Sequence, residues 1–353
     1  MSKIISVKQK IGSFKNKIIV PGDKSLSIRW VLLASLANGT SIAKNLLMSE
    51  DVLAAINAIK KLGIKTIIKK NECRIYGKGF DGYKYVKNLT INAENSGTLG
   101  RLMLGFLVNC PYPIKIIGDK SLSKRDFKRI SDPLSKFGVK FKLRRNKFLP
   151  LKIYGSSKLV PIKYFENKGS AQCKSSVIFA AMRTEGTTTI KAKKSRNHTE
   201  LLCRYLKLPV SVKENKNYDE IKIKKVTKIQ KIDYNIPSDI SSSAFFIVLT
   251  ALSSNSELTI KNVNINPSRI GIITILKKMG VKISFKNKKI YKGEKIADIF
   301  VKSSKILKPI NCPSSLNSSA IDELLLIFLV AGTKAKGISK FNQLGELNKK
   351  ESP

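Results

Sequence analysis

The chain is poor in acid, in arginine and in histidine. Only 24 of its 353 residues are Asp or Glu against 67 Lys and Arg, and His198 is the sole histidine. Lys outnumbers Arg about five to one. A formal charge of +43 would ordinarily point to nucleic acid or another polyanion. The excess is spread along the whole chain with no basic stripe, which reads as compositional bias rather than a binding face. The five cysteines, Cys73, Cys110, Cys173, Cys203 and Cys312, form no CxxC pair, which argues against both a zinc site and a disulfide frame. No apolar run approaches the roughly 20 residues of a membrane-spanning helix, and the opening MSKIISVKQK has no secretory apolar segment. A soluble cytoplasmic protein follows as the expectation. With 42% hydrophobic residues over this length, two ordinary cores and hence two domains are expected.

What is present is a repeat. An amphipathic helix, a small turn and two short β runs recur as AINAIKKLGIKTIIKKNECRIYG, RISDPLSKFGVKFKLRRNKFLPLKIYG, ELLCRYLKLPVSVKENKNYDEIKIK and ITILKKMGVKISFKNKKIYKG. The turn markers Gly63, Gly138, Pro209 and Gly280 lie 75, 71 and 71 residues apart, so the chain is built of similar units of about 70 residues. Upstream of each stands a second helix, SLSIRWVLLASLANG, SGTLGRLMLGFLVN, SAQCKSSVIFAAMRTEG or DISSSAFFIVLTALSS, apolar nearly all round and expected at a lobe centre. The first turns of these helices are rich in Ser, Gly and Thr, which leaves backbone N–H groups to bind anions. A fifth copy, SSLNSSAIDELLLIFLVAGTKAKGISKF, predicts another apolar helix and strand, with no amphipathic helix after it.

The scarce arginines gather at these junctions. VPGDKSLSIRW places Lys24, Ser25 and Arg29 at the first apolar helix, with Ser25 a candidate cap and Arg29 on its face. ENSGTLGR and GDKSLSKR bring Gly97, Arg101 and Arg125; GSAQCKS and SRNHTE bring Ser170, Ala171, Gln172, Lys174, Arg196 and His198. Convergent anion binding is the better reading of the set. By its residues alone, Asp322 in SSAIDE reads as a helix cap. His198 has a side chain suited to proton transfer, yet its place at a helix start points to a structural role.

In order along the chain, PGDKSxxxR, NxGTxxR, GDxSLxxR, SAQxK, SRxHTE, PSDISSSAFF, IDE and ELxxKES resemble the EPSP synthase family, from Lys17 to Ser352. The resemblance implies an α/β fold of two lobes, each an inside-out α/β barrel of βαβαββ units, with substrate held between them. It implies a second lobe over 22–236 and a first lobe combining 1–21 with 237–353. It further implies transfer of the carboxyvinyl group of phosphoenolpyruvate to the 5-hydroxyl of shikimate 3-phosphate, with no metal or organic cofactor, no specific nucleic acid and no membrane, in a monomer. Position by position, it puts Lys24 on both substrates. Ser25, Arg29, Ser170, Ala171, Gln172, Arg196, Asp322 and Lys350 fall to shikimate 3-phosphate, and Gly97, Arg125 and again Gln172 to phosphoenolpyruvate. Asp322 is the implied proton acceptor from the hydroxyl, and Glu351 a candidate for proton transfer at C3.

Two details bear on class. SAQxK and RxHxE resemble the glyphosate-tolerant class, whereas Gly97 keeps the small residue whose replacement by Ala is associated with tolerance. The family motif continues past KES to an Asp-Arg pair, so a chain shortened by one to two units at its C-terminus, and weak in activity, is expected. The rivals are an inactive homologue that only binds shikimate 3-phosphate, a basic nucleic-acid-binding module, UDP-N-acetylglucosamine enolpyruvyl transferase and RNA 3′-terminal phosphate cyclase. The enolpyruvyl rival would carry Lys-Asn at Lys24-Ser25 and a loop cysteine; the cyclase would need a nucleophilic histidine.

Overall fold

A computed structural model describes residue 6 and residues 11–70, 72–304, 306–323 and 330–344. The chain forms two compact units. One holds the N-terminal residues up to Val20 together with Ser238–Lys289 and the residues from Lys295 onward; the other holds Pro21–Pro237 and the short segment Ile290–Glu294. That last segment is a difference from the sequence reading. It comes from the tip of a β-hairpin, and hairpin patterning alone does not say what a tip packs against.

The larger unit, Pro21–Pro237 with Ile290–Glu294, contains three repeats, each with its own sheet. In the second, Thr90–Asn92 runs parallel to Ile114–Ile117, which pairs antiparallel with Phe148–Tyr154, itself paired with Lys140–Arg144. The third repeats this order with Lys163–Glu166, Thr187–Lys193, Tyr218–Lys224 and Val210–Glu214. A helix fills each parallel crossover, since strands in the same direction require a long connection. The first repeat takes its opening strands from the far end of the unit: Ile229–Gln230 and Tyr234–Asn235 pair parallel with Ala37–Lys44. Trp30, fully buried, secures the closure by donating Nε1–H to the Ile232 carbonyl at 2.7 Å.

The helices of this unit are α1 (Lys24–Ser35), α2 (Glu50–Lys61), α3 (Gly97–Phe106), α4 (Lys128–Ser135), α5 (Ala171–Ala181) and α6 (His198–Tyr205). The apolar helices α1, α3 and α5 sit at the centre, and α3 and α5 lie parallel. Their register is fixed by contacts from end to end: Gln172 to Thr98, Ser176 Oγ to the Arg101 carbonyl, and Phe106 to Phe179 with ring centroids 4.5 Å apart. Gly105 lets the backbones meet, because a Cβ there would lie 2.2 Å from the Ser176 carbonyl oxygen. Full burial of each large apolar side chain contributes about 1.5–3 kcal/mol, and Leu26, Leu32, Leu33, Leu99 and Phe106 all reach it.

In the other unit, Lys15–Ile18 opens the sheet by running parallel to Glu257–Asn264, followed by Glu294–Lys302 and Lys282–Tyr291. Its helices are α7 (Ile240–Leu252), α8 (Gly271–Lys278) and the short α9 (Asn317–Ala320). The all-round burial expected for α7 is not observed. Ile240, Ala244, Ile247, Val248 and Ala251 face the core, whereas Phe245, Phe246 and Leu249 are exposed at 62%, 41% and 37%. In the larger unit α1, α3 and α5 cover one another; among the described residues no comparable helix covers this face of α7. The described elements of the fifth copy are α9, short 3₁₀ turns at Ser314–Leu316 and Gly332–Lys334, and a two-stranded pairing of Asn311–Cys312 with Lys340–Phe341. Residues 324–329, where the rest of its helix was expected, lie outside the described residues. Among the described residues no helix is long and apolar enough to cross a membrane.

Candidate functional site

Charge at the helix starts runs against the usual preference. Helix α2 follows it, with Glu50 and Asp51 in its first turn and Lys60 and Lys61 in its last. Helices α1, α3 and α5 carry no acid in their first turns, and α1 begins on Lys24. The positive ends of α3 and α5 are therefore open to an anion, whereas that of α1 already faces the Asp23 carboxylate. Each is capped from just outside: Asp23 accepts from Leu26 N at 2.9 Å, Ser96 from Leu99 N at 3.2 Å and Ser170 from Cys173 N at 3.3 Å. The cap of α1 is thus Asp23, not Ser25. The chain turns one residue pair earlier than expected, and Ser25, half-buried, lies inside the first turn. Lys24 is half-buried and stands 3.8 Å from Asp51.

The first turns of α3 and α5 form one polar cluster. Arg101 donates Nη1–H to Gln172 Oε1, and Gln172 donates to Thr98 Oγ1 at 3.0 Å. Arg125 enters from the loop before α4, donating Nη2–H to Asn95 Oδ1 at 2.9 Å. Asn95 in turn donates to Asp119 Oδ2 at 2.6 Å. The carboxyl of Asp119 is held below its usual range by the Leu122 backbone N–H, with Asn95 and the charge of Arg125 adding to the effect. Gly97 sits against the guanidinia: a Cβ there would be 3.1 Å from Arg125 Nη1 and 3.5 Å from Arg101 Nη1. Burial, with repulsion from Arg129 and Arg125 adding to it, brings the Arg101 guanidinium pKa down to about 10. Arg101 stays charged at neutral pH, so an anion here relieves both desolvation and repulsion. Ser170 is further fixed by its N–H donating to Glu166 Oε2 at 2.9 Å, and Ala171 opens α5.

Arg29, expected on shikimate 3-phosphate, lies deeper than Lys24 and Ser25. It is 3% exposed and ties three helices together. Nε donates to Thr199 Oγ1 at 2.7 Å, Nη2 to Ser175 Oγ at 3.1 Å and Nη1 to the Ser25 carbonyl at 3.1 Å. Burial lowers its pKa to about 10, countered by the carboxylates of Glu200, Asp23 and Glu294 and deepened by Arg196. Arg196 is half-buried in the loop that enters α6. Below this layer the Lys174 ammonium and the Glu200 carboxylate form a buried ion pair at 2.6 Å. Thr199 and Ser175 were missed as site-shaping residues, and Glu200, legible in SRNHTE, had no partner assigned. Their signal was present in SRNHTE and SAQCKSS, but which partner each finds depends on how α1, α5 and α6 pack.

Asp322 belongs to the unit built on α7 and α8. It is exposed in the turn that follows α9, and the helix it is expected to cap falls on residues 324–329, which lie outside the described residues. Its neighbour Glu323 is buried and accepts from Ser241 Oγ, with Arg269 Nη2 3.9 Å away. Lys350 and Glu351 lie outside the described residues. His198 is buried against Glu294, with Nδ1 2.7 Å from Oε1, in agreement with a structural role. Cys312 is also buried, and that burial raises its thiol pKa. Among the described residues no group of acidic, histidine or cysteine side chains could hold a metal ion.

Repeated βαβαββ units whose helix starts gather arginine, glutamine and small polar residues define a class of α/β proteins built from repeats. The chain belongs to the EPSP synthase family: the model of EPSP synthase (3-phosphoshikimate 1-carboxyvinyltransferase) matches residues 8–352. A 3-phosphoshikimate 1-carboxyvinyltransferase of Sulfurihydrogenibium sp. (strain YO3AOP1) is 39% identical over 346 residues, taking in 98% of this chain and 79% of that protein. That of Bacillus subtilis (strain 168) is 37% identical over 347 residues, with the same coverage. Among solved structures, an EPSP synthase from Acinetobacter baumannii superposes with a TM-score of 0.85 at 36% identity, over 96% of this chain and 76% of that one. The enolpyruvyl transferase NikO from Streptomyces tendae shares the fold, with a TM-score of 0.66 at 13% identity over 93% of this chain and 73% of that one. A family match that runs to residue 352 lends no support to the expected C-terminal shortening.

Proposed function

We propose that this chain transfers the carboxyvinyl group of phosphoenolpyruvate to the 5-hydroxyl of shikimate 3-phosphate. The observation that carries this reading is the cluster at the starts of α3 and α5, where Arg101, Arg125, Gly97 and Gln172 meet with no acid in either first turn. Two anions have to be brought together there, and fixed cations stabilise the charge that develops between them. The membership of the family supports the same activity, and the comparisons favour neither a nucleic-acid-binding module nor an inactive homologue.

In the proposed reaction the 5-hydroxyl oxygen bonds to C2 of phosphoenolpyruvate, its proton passes to the carboxylate of Asp322, and C3 takes a proton with Glu351 as donor. The C2–O bond to phosphate then breaks, C3 returns a proton to the Glu351 carboxylate, the C2–C3 double bond is restored, and inorganic phosphate leaves with the proton taken up by Asp322. Lys24 and Lys350 offset charge on the substrates. Ser25, Ser170, Ala171, Gln172 and Arg196 hold shikimate 3-phosphate, with Arg29 beneath them as the buried cation of the same subsite. Gly97, Arg125 and Gln172 hold phosphoenolpyruvate. The working form we propose is a monomer in the cytoplasm, in keeping with five cysteines that are all buried and unpaired.

Calorimetric titration with shikimate 3-phosphate tests the reading directly. Binding is expected, and Arg196→Ala is expected to weaken it about 10- to 100-fold, the value of a lost charge-assisted hydrogen bond. An unsubstituted protein that gives no heat with shikimate 3-phosphate, and no phosphate release once phosphoenolpyruvate is added, refutes the proposal.

A further inference from the structure

The segment Ile290–Glu294 joins the larger unit from far along the sequence, and it is anchored there residue by residue. Tyr291 Oη accepts from Asn235 N at 3.1 Å, and its ring lies 5.7 Å from that of Tyr234. The ammonium of Lys292 donates to the Asp233 carbonyl and to Tyr205 Oη at 3.0 Å. The same ammonium stands 5.1, 6.0 and 5.8 Å from the ring centres of Tyr205, Tyr234 and Tyr291, a cation held among aromatic faces. Gly293 has φ +87°, and a Cβ there would lie 2.6 Å from the Leu201 carbonyl oxygen of α6. No other residue allows the segment so near the helix.

The next residue is Glu294. It is 1% exposed, and its Oε1 lies 2.7 Å from Nδ1 of His198, also 1% exposed, at the first position of α6. Residues near His198 on both sides along the chain reach the anion-binding layer. Thr199 follows it and accepts from Arg29 Nε at 2.7 Å while sharing a 2.7 Å hydrogen bond with Ser175. Arg196 precedes it by two positions, in the loop that enters α6. The Glu294 carboxylate also acts on Arg29 by charge, countering its burial.

We infer that Glu294 is a positioning residue of the shikimate 3-phosphate subsite: through His198 it fixes the first turn of α6, and with that turn Thr199, Arg29 and Arg196. The inference rests on the proposed function for the identity of the ligand. The side chain of His198, the first residue of α6, is tied to a segment 96 residues away in sequence. A turn fixed in this way presents Arg196 without the entropy cost of ordering it on binding.

The test is calorimetry with shikimate 3-phosphate and steady-state kinetics on Glu294→Leu and Glu294→Gln, with thermal unfolding measured alongside. Glu294→Leu is expected to raise the Kd and KM for shikimate 3-phosphate about tenfold or more, while kcat and the KM for phosphoenolpyruvate stay within about threefold. Glu294→Gln keeps a hydrogen bond to Nδ1 and is expected to restore affinity to within about threefold of the original. A lower unfolding temperature with an unmoved Kd for shikimate 3-phosphate marks an anchor of stability alone and overturns the inference. Should Glu294→Leu fail to fold, Glu294→Asp decides, since it keeps the charge but draws it away from Nδ1. A Kd raised about threefold for shikimate 3-phosphate, with phosphoenolpyruvate unaffected, then supports positioning; an unchanged Kd overturns it. Lack of binding by the unsubstituted protein sinks the proposed function itself, and this inference with it.

Discussion

Replacing Lys174 by methionine puts the buried polar layer to a quantitative test. The ammonium of Lys174 is wholly buried, the Glu200 side chain is 4% exposed, and 2.6 Å separates them. At an effective dielectric constant near 20, two unit charges at that separation attract by about 6 kcal/mol. Removing both ions from water costs several kcal/mol each, so the intact pair contributes little net stability. Its loss is another matter, because Glu200 then keeps its desolvation cost without its partner, typically about 3–5 kcal/mol. Arg29 lies within electrostatic reach of Glu200 and compensates in part, which places the expected cost near the lower figure, about 3 kcal/mol. For a folding unit of roughly 200 residues that lowers the unfolding temperature by about 6–12 °C. The double variant Lys174→Met, Glu200→Leu removes both ions. It should recover most of the loss, remaining about 1 kcal/mol short because Arg29 has lost one of its countercharges. Thermal and urea unfolding of the two variants decide the matter. A fall of less than about 2 °C in the single variant, or a double variant no more stable than the single one, would refute the account of this layer.

Other outcomes are expected from individual residues. In Gly97→Ala the new methyl group meets Arg125 Nη1 at 3.1 Å, the end of a flexible side chain, so folding should survive while the KM for phosphoenolpyruvate rises about tenfold; kinetics with each substrate varied in turn will show whether the loss is confined to that one. Asp322→Asn should leave shikimate 3-phosphate affinity within about threefold and cut turnover at least a hundredfold, as measured by phosphate release. In the α7 unit, burial works to raise the Asp298 carboxyl, but hydrogen bonds from Lys261, Asn262 N–H and Asn287 outweigh it and hold the pKa below the ordinary 3.8. A carboxylate with a depressed folded pKa stabilises above its unfolded pKa and loses that contribution as pH falls through the folded one. Asp298→Asn should therefore melt at a lower temperature than the original protein at pH 7, and the gap should shrink as the pH drops below 3.8. A gap that does not change with pH would show that the ion pair with Lys261, 2.6 Å away, is not what holds this carboxylate.

The great basic excess carries no part of these predictions. Most lysines lie on exposed positions of strands and turns, such as Lys163, Lys191 and Lys222, where solvent and salt screen them. The arginines that matter are few and inward. Arg29 and Arg269 are each 3% exposed and each brackets the start of a central helix, α1 in one unit and α7 in the other. Basic side chains thus serve two roles in one chain, and burial is what separates them.

The repeat, its period of about 70 residues and the alternation of apolar and amphipathic helices were legible in the chain, because side-chain patterning at helical and strand spacing is local. So were the segments that supply the site, since glycine, serine and arginine at helix starts answer to local backbone needs. The cap of α1 was placed one residue pair late, at Ser25 instead of Asp23, because both are good capping types and only the backbone angles distinguish them. Partners across the fold were beyond reach of any such pattern. Nothing local brings Gln172 to Arg101, Arg29 to Thr199 or Glu294 to His198, residues 71, 170 and 96 positions apart. Nor does local pattern decide which face of α7 is covered. By itself the sequence determined the elements, their repetition and the segments that bear the chemistry; tertiary packing alone decided which cations are buried, what holds them, and that a hairpin tip closes on α6, since these depend on contacts among elements whose separations along the chain carry no periodic signal.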